Sequence, residues 1–417
     1  MTDVAARALD HVDADELVRL TQELVRVPSV TGTAGECDGQ DWVTEQWRAT
    51  GVETDVWDDD PTALAAAAGF PGAETDRAVV RGAAGRVPGT GGGRSLLLGG
   101  HVDVVPAGDP ALWRADPFDG RLEDGAVWGR GACDMKAGLV CNLAAVRAVQ
   151  RAGIELRGDI VLHSVVGEED GGIGTFATLR RGHRADAAII TEPTNGTVIV
   201  ANAGALTFRL QVQGRAAHAS VRDEGVSAVE KLVPVLAALA ELEAERNAEP
   251  DPLLADRALP YALSIGTVRA GEWASTVPDL LVAEGRLGVA LDEDTGDARA
   301  ALEAAVASAC ADDDWLADHP VQVSWPGGQF ASGRFPFGHP LLDVVRAATV
   351  DAGAPLPSVA GAPYGSDLRL LAGAGIPTLH IGPGDVRHAH AVDEHVAVGE
   401  LAWVTRMLVL AIVRWCA

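Results

Sequence analysis

Lysine is almost missing from this chain. Of 417 residues only Lys136 and Lys231 carry an ammonium group, and Lys plus Arg total 33 against 59 for Asp plus Glu, a net charge of -26. That deficit argues against a nucleic-acid partner and against an anionic membrane, both of which call for a basic surface. Long apolar runs are also missing: none reaches the ~20 residues that span a bilayer. Yet 47% of the residues are hydrophobic, enough for a substantial core in one large domain or two ordinary ones. Cysteine is scarce. The five, Cys37, Cys133, Cys141, Cys310 and Cys416, are scattered without a CxxC pair, which reads as reduced thiols in a cytoplasm. The opening MTDVAARALDHVDADELVRL is acidic and lacks the basic-then-apolar layout of a signal peptide, so a cytoplasmic location is expected.

What is present is alternation. DADELVRLTQELVRVP and TAGECDGQDWVTEQWRATG have helical character, the first with apolar residues at helical spacing. RAVVRG and RSLLLGGHVDVV read as short strands. The glycine-rich AAGRVPGTGGG between them has no GK[ST] ending and no helix after it, so it reads as a connecting loop rather than a phosphate loop. DMKAGLVCNLAAVRAVQRAG is a helix apolar on most faces, followed by the strands DIVLHSVV and ADAAIIT. Strands alternating with helices predict an α/β fold with a mostly parallel sheet flanked by helices. From residue 204 the pattern changes to strand, helix, strand, strand, helix, strand, a ferredoxin-like βαββαβ unit of α+β type. The α/β texture then resumes. The expected division is 1–203 with 328–417 as one domain, and 204–327 as an insert.

The residues that could do chemistry sit at strand ends. His101 and Asp103 end an apolar strand at i, i+2 spacing, which aims both side chains to one side. Taken alone, a structural histidine explains this pair as well. Asp134 opens the buried helix, where it could be an N-cap. The flanking GRG and KAG glycines suggest a backbone packed close to something. VVGEED supplies Glu168 and Glu169, and IITEP supplies Glu192. Each alone would be a solvated loop acid; at the carboxyl ends of strands in one sheet they converge on the usual ligand crevice. HIGPGDVRHAHAVDEH adds His388, His390 and His395. Two histidines with several carboxylates suit zinc, with cobalt or manganese as alternatives. In the insert, His218 follows an alternating strand. Arg286 lies within an apolar strand, where an unpaired guanidinium would be costly.

HVD, GRGACDMKAG, GEED, TEP, GRAAH and AHAVDE, in that order, resemble the di-zinc aminoacylase family. That family includes acetylornithine deacetylase, succinyl-diaminopimelate desuccinylase, aminoacylase and several di- and carboxypeptidases. The resemblance spans nearly the whole chain, and GEWASTVPD with APYGSDLRLL is most similar to the acetylornithine-deacetylase-like branch. It implies that His101, Asp134 and Glu192 hold one zinc. Asp134, Glu169 and His390 would hold the second, with Asp134 as the bridge and His390 chosen by the AH-x-x-DE pattern. Asp103 would orient His101, and Glu168 would be the general base that activates a water. His218 would reach the site of a neighbouring subunit, because the insert of this family makes a homodimer. Arg286 would bind a substrate carboxylate. Ser275, where many relatives carry Asn, and Gly365 and Ser366 within 361–367 would line the pocket; Cys133 stands where Ser or Thr is common. The implied activity is hydrolysis of an N-acyl amino acid or peptide-like amide. A dipeptidase, carboxypeptidase or desuccinylase on the same site is the alternative, and a non-catalytic binding protein the remote one.

Overall fold

A computed structural model describes residues 3–417. The chain divides into two compact units, residues 1–201, 334–360 and 367–417 in one and 202–333 with 361–366 in the other. The division thus falls at 202 and 333 rather than 204 and 327, and a short late segment joins the second unit.

The first unit is built on a nine-stranded mixed sheet. At its centre Ile160–Val165, Leu96–His101, Ala187–Ile190 and Thr378–His380 lie side by side and parallel. All four are buried throughout, the expected state of parallel strands covered on both faces. Val80–Val87 and Glu53–Asp59 extend one side antiparallel, and Val198–Asn202 pairs antiparallel on the other. The sequence left Glu53–Asp59 unassigned and placed AAGRV in a loop. In fact AAGRV belongs to the strand Val80–Val87, and its glycines make room for rings. A Cβ on Gly82 would stand 2.2 Å from the Trp57 ring.

The helix Ala137–Arg151 is buried on most faces, as its composition predicts. It packs over the central strands: a Cβ on Gly100 would lie 2.7 Å from Met135 Cε, and one on Gly138 would lie 2.2 Å from the Thr191 main-chain oxygen. Those contacts account for the KAG glycine. The helix Val398–Trp415 packs beside it. Among the described residues, no helix is long and apolar enough to cross a membrane.

The second unit has the strand order Leu263–Ala270, Leu280–Val289, Gly204–Gln213, Gln322–Ser324, all antiparallel. This is the ferredoxin-like order, with Ala228–Arg246 and Thr295–Ala311 as its helices. Gly204–Gln213 alternates buried and exposed residues over most of its length. Its Phe208, Leu210 and Val212 join Leu232, Val235, Leu281 and Leu302 in one core.

Candidate metal centre

The four parallel strands run the same way, so their carboxyl ends share one edge of the sheet. His101 is the last residue of Leu96–His101; Glu168 and Glu169 follow Ile160–Val165; Glu192 follows Ala187–Ile190. Asp134 is not a helix cap. It lies in a wide turn, Ala132–Lys136, with φ -116 and ψ 98, ahead of the helix proper, and its peptide bond to Met135 is cis. His390 comes from the loop after Thr378–His380 and takes a left-handed φ of 61.

These side chains form two groupings that share Asp134. In the first, His101 Nε2 lies 3.2 Å from Asp134 Oδ1 and 3.7 Å from Glu192 Oε1. In the second, His390 Nε2 lies 3.6 Å from Asp134 Oδ2 and 3.0 Å from Glu169 Oε2. One ligand atom from each of His101, Asp134 and Glu169 falls within 4.8 Å of the others. Glu168 stands beside them, its Oε1 accepting the main-chain N–H of Asp367 at 3.2 Å. The other two histidines of the loop go elsewhere. His395 stacks on Trp128 at 4.1 Å, and His388 leans on His395 at 4.3 Å.

The electrostatics are those of crowded acids. Burial, then Asp367 and the neighbouring glutamates, hold the Glu168 carboxyl well above its ordinary range. Burial and the charge of Asp134 push Glu169 and Glu192 up in the same way. Burial also opposes charge on Asp134, but the hydrogen bond and charge of His101 and the charge of His390 outweigh it and hold Asp134 low. His101 responds in reverse: burial disfavours its cation, yet Glu192, Asp134 and Asp103 raise it well above 6.5. Two imidazoles and four carboxylates, converging from separate segments with no thiol among them, are a donor set that fits hard or borderline divalent cations. The nearby Cys133 thiol faces away, donating to the Asp385 carbonyl at 3.3 Å.

Several supports escaped sequence reading. The Asp103 carboxylate accepts the main-chain N–H groups of Glu168 (3.3 Å) and Glu169 (3.4 Å) and the Thr31 hydroxyl (3.1 Å), so it braces the glutamate turn. Asp170, third acid of GEED, is ion-paired at 2.8 Å with Arg77, which also binds Glu36 at 3.0 Å, all buried. Glu394 accepts the N–H groups of Cys133 (2.9 Å) and Asp134 (3.0 Å) while paired with the buried Arg130. Arg130 in turn donates to the His390 carbonyl at 3.2 Å. One ion pair therefore ties the Asp134 turn to the His390 loop. Glu394 stood inside the AHAVDE motif, a usable signal; Arg77 had none.

The remaining candidates lie in the second unit. His218 caps a short 3-10 helix, Ala219–Glu224: its Nδ1 accepts the Ser220 N–H at 3.2 Å. A neutral ring held so carries its proton on Nε2. Ser275 is exposed and accepts the Ala219 N–H at 2.9 Å, and Thr276 bridges to His218, so these two candidate stretches are neighbours. Arg286 is a correction. It sits on the exposed face of Leu280–Val289, so the burial penalty that singled it out does not arise. Gly365 packs against Phe330, where a Cβ would come within 2.6 Å, and Ser366 is buried.

An α/β sheet with histidines and carboxylates gathered at its parallel strand ends has the arrangement of a metal site. The chain belongs to peptidase family M20/M25/M40, whose family model matches residues 97–414. It is 29% identical to the N-formyl-4-amino-5-aminomethyl-2-methylpyrimidine deformylase of Bacillus subtilis, over 97% of this chain and 95% of that protein. It is 30% identical to the succinyl-diaminopimelate desuccinylase of Paracoccus denitrificans, over 76% of this chain and 82% of the other. In fold it is similar to the di-peptidase Dug1p of Saccharomyces cerevisiae, with a TM-score of 0.78 at 15% identity, covering 100% of this chain and 99% of that one. It is similar also to the aminopeptidase PepT of Bacillus cereus, with a TM-score of 0.72 at 23% identity, covering 97% and 99%. The protein is an enzyme, a metal-dependent amide hydrolase. These relatives support that shared chemistry and do not support acetylornithine in particular.

Proposed function

We propose that the enzyme removes a small acyl group from an N-acyl amino acid or a related N-acylated amine, with two divalent cations, zinc foremost, at the strand-end cluster. The observation that carries this reading is the pair of groupings sharing Asp134, with Glu168 beside both and a member of neither. His101, Asp134 and Glu192 would hold one cation, and Asp134, Glu169 and His390 the other. When bound, such cations supply Lewis acidity: they acidify a water and polarise a carbonyl.

The chain's own residues do the rest. Glu168 takes a proton from water as the new C–O bond forms. It then delivers that proton to the amine nitrogen as the C–N bond breaks, leaving a free amine and a carboxylic acid, which gives up its own proton to become the carboxylate. His218, with its hydrogen on Nε2, donates to the developing oxyanion. Arg286, on an exposed face, pairs with a substrate carboxylate; Ser275, Gly365 and Ser366 shape the pocket.

His218 would serve the site of a second subunit. The second unit has a surface suited to a twofold contact. Its edge strand Leu263–Ala270 pairs on one side only and is largely exposed. The helix Ala228–Arg246 presents Val229 (46% exposed) and Val233 (61%). An open edge with apolar residues invites a symmetric partner.

Similarity to the deformylase along nearly its whole length favours a small acyl group on an amine that need not be an amino acid. A dipeptidase, carboxypeptidase or desuccinylase activity is the competing reading. Formyl-, acetyl- and succinyl-amines and amino acids, assayed beside dipeptides with metal content measured, separate the two. Turnover of dipeptides alone would refute the deacylase reading.

A further inference from the structure

Asp367 stands at the start of the helix Leu368–Gly373, where an aspartate ordinarily caps its own helix. It makes no such cap. Its carboxylate turns away and accepts the Thr175 hydroxyl at 2.6 Å, both residues being buried. Its main-chain N–H points the other way, to Glu168 Oε1 at 3.2 Å. Thr175 belongs to Ile173–Arg181, the helix that leaves the GEEDGG turn. One residue from 199 positions downstream therefore grips the turn at both ends, at Glu168 and, through the side chain, at Thr175.

The surroundings leave this clamp little play. Gly172 is left-handed, φ 84, and a Cβ there would stand 2.5 Å from Asp367 Oδ1. The buried Arg369, two residues on, donates to the Gly171 carbonyl at 2.7 Å. A glutamate has three rotatable side-chain bonds, so a base at a strand end needs something to hold its carboxylate. With Oε1 engaged by the Asp367 N–H, the other oxygen is the one left for a proton in transit.

We infer that Asp367, locked by Thr175, is the positioning residue of Glu168: the Thr175–Asp367 bond fixes the peptide whose N–H holds the base. This rests on Glu168 being the general base. Misplacing a reacting group by about 1 Å can cost ~10²-fold in rate, so a loosened clamp acts on turnover and not on binding.

The test uses the full-length, metal-loaded enzyme and an N-formyl or N-acetyl substrate that the wild type hydrolyses. Thr175→Val keeps the shape and removes the hydroxyl. It is expected to lower kcat by ~10–100-fold, with KM and metal content unchanged, and Thr175→Ser is expected to restore it. Hydrogen exchange across 363–370, read by mass spectrometry, needs no substrate and should rise in Thr175→Val. Wild-type kcat and wild-type exchange in Thr175→Val would overturn the inference. So would a fall in kcat matched by lost metal, which marks a merely structural role. An active Glu168→Gln would refute the base itself, and is separate from either result.

Discussion

His101 meets Asp103 through its main chain. Nδ1 of His101 lies 2.9 Å from the Asp103 carbonyl oxygen and 3.6 Å from the carboxylate Oδ1. A carbonyl only accepts, so Nδ1 carries a hydrogen; while the ring is charged Nε2 also donates to Asp134, and once neutral it would offer a cation its Nε2 lone pair. That is the tautomer of a metal ligand, oriented by the hydrogen bond of its other nitrogen. The Asp103 carboxylate is thereby freed to brace Glu168 and Glu169.

Metal content should follow the two groupings. The wild type is expected to bind two zinc ions per chain, His101→Ala and His390→Ala about one each, and Asp134→Ala neither tightly. Elemental analysis after dialysis checks this. Chelation should abolish activity and Zn²⁺ or Co²⁺ restore it; full activity in metal-free protein would refute the site.

Glu168→Gln should retain both metals and lose turnover by at least ~10²–10⁴-fold, because the amide is nearly isosteric but cannot accept a proton. Steady-state kinetics alongside metal analysis decide it. A variant that empties the site would make Glu168 a ligand instead.

Arg77 compensates two carboxylates, Glu36 and Asp170, with all three side chains at most 5% exposed. Arg77→Met would leave both acids unpaired in the interior, a class of change that costs about 3–5 kcal/mol. Urea unfolding should show the midpoint falling by that equivalent. An unchanged midpoint would mean that the pair is dispensable.

Stability should fall in acid through buried neutral histidines. Burial, with the His183 charge added, holds His163 down from 6.5 to about 3, and burial alone does the same to His380. Below pH 6.5 the unfolded chain binds protons that the native state refuses, so each group removes up to about 1.4 kcal/mol per pH unit between 6.5 and 3. Glu36, raised to about 7 by burial, acts with opposite sign between pH 4.5 and 7, so the informative quantity is a difference. The loss of melting temperature from pH 6.5 to 5 should be shallower in His163→Leu than in wild type.

Mixing His218→Ala with Glu168→Gln under subunit exchange should revive activity if His218 serves the partner's site. A heterodimer then has one site lacking both groups and one complete. Proven heterodimers that stay inactive would place His218 in its own chain's site.

Strand and helix periods are local, and they located Ile160–Val165, Leu96–His101 and the ferredoxin-like insert. The acids and histidines at strand ends were visible for the same reason: an apolar run that stops at a charge marks its own end. The sequence by itself determined the donor types, the α/β class and, through its motif order, the family.

Only the tertiary structure decided which partners meet. Asp134 faces His101 with one oxygen and His390 with the other because strand order and an irregular turn bring three distant segments to one sheet edge. His388, two residues from His390, packs against His395 instead; the AH-x-x-DE pattern singled out His390, but only the fold shows where the His388 ring goes. Arg286 looked buried from its neighbours and is exposed, because alternation along a strand sets the face and only the fold says which face is covered. Arg77 carries no local signature, and Asp367, though inside the APYGSDLRLL stretch, has none that ties it to Glu168 or Thr175. Each acts through contacts with residues tens to hundreds of positions away, and such contacts exist only once the chain has closed on itself.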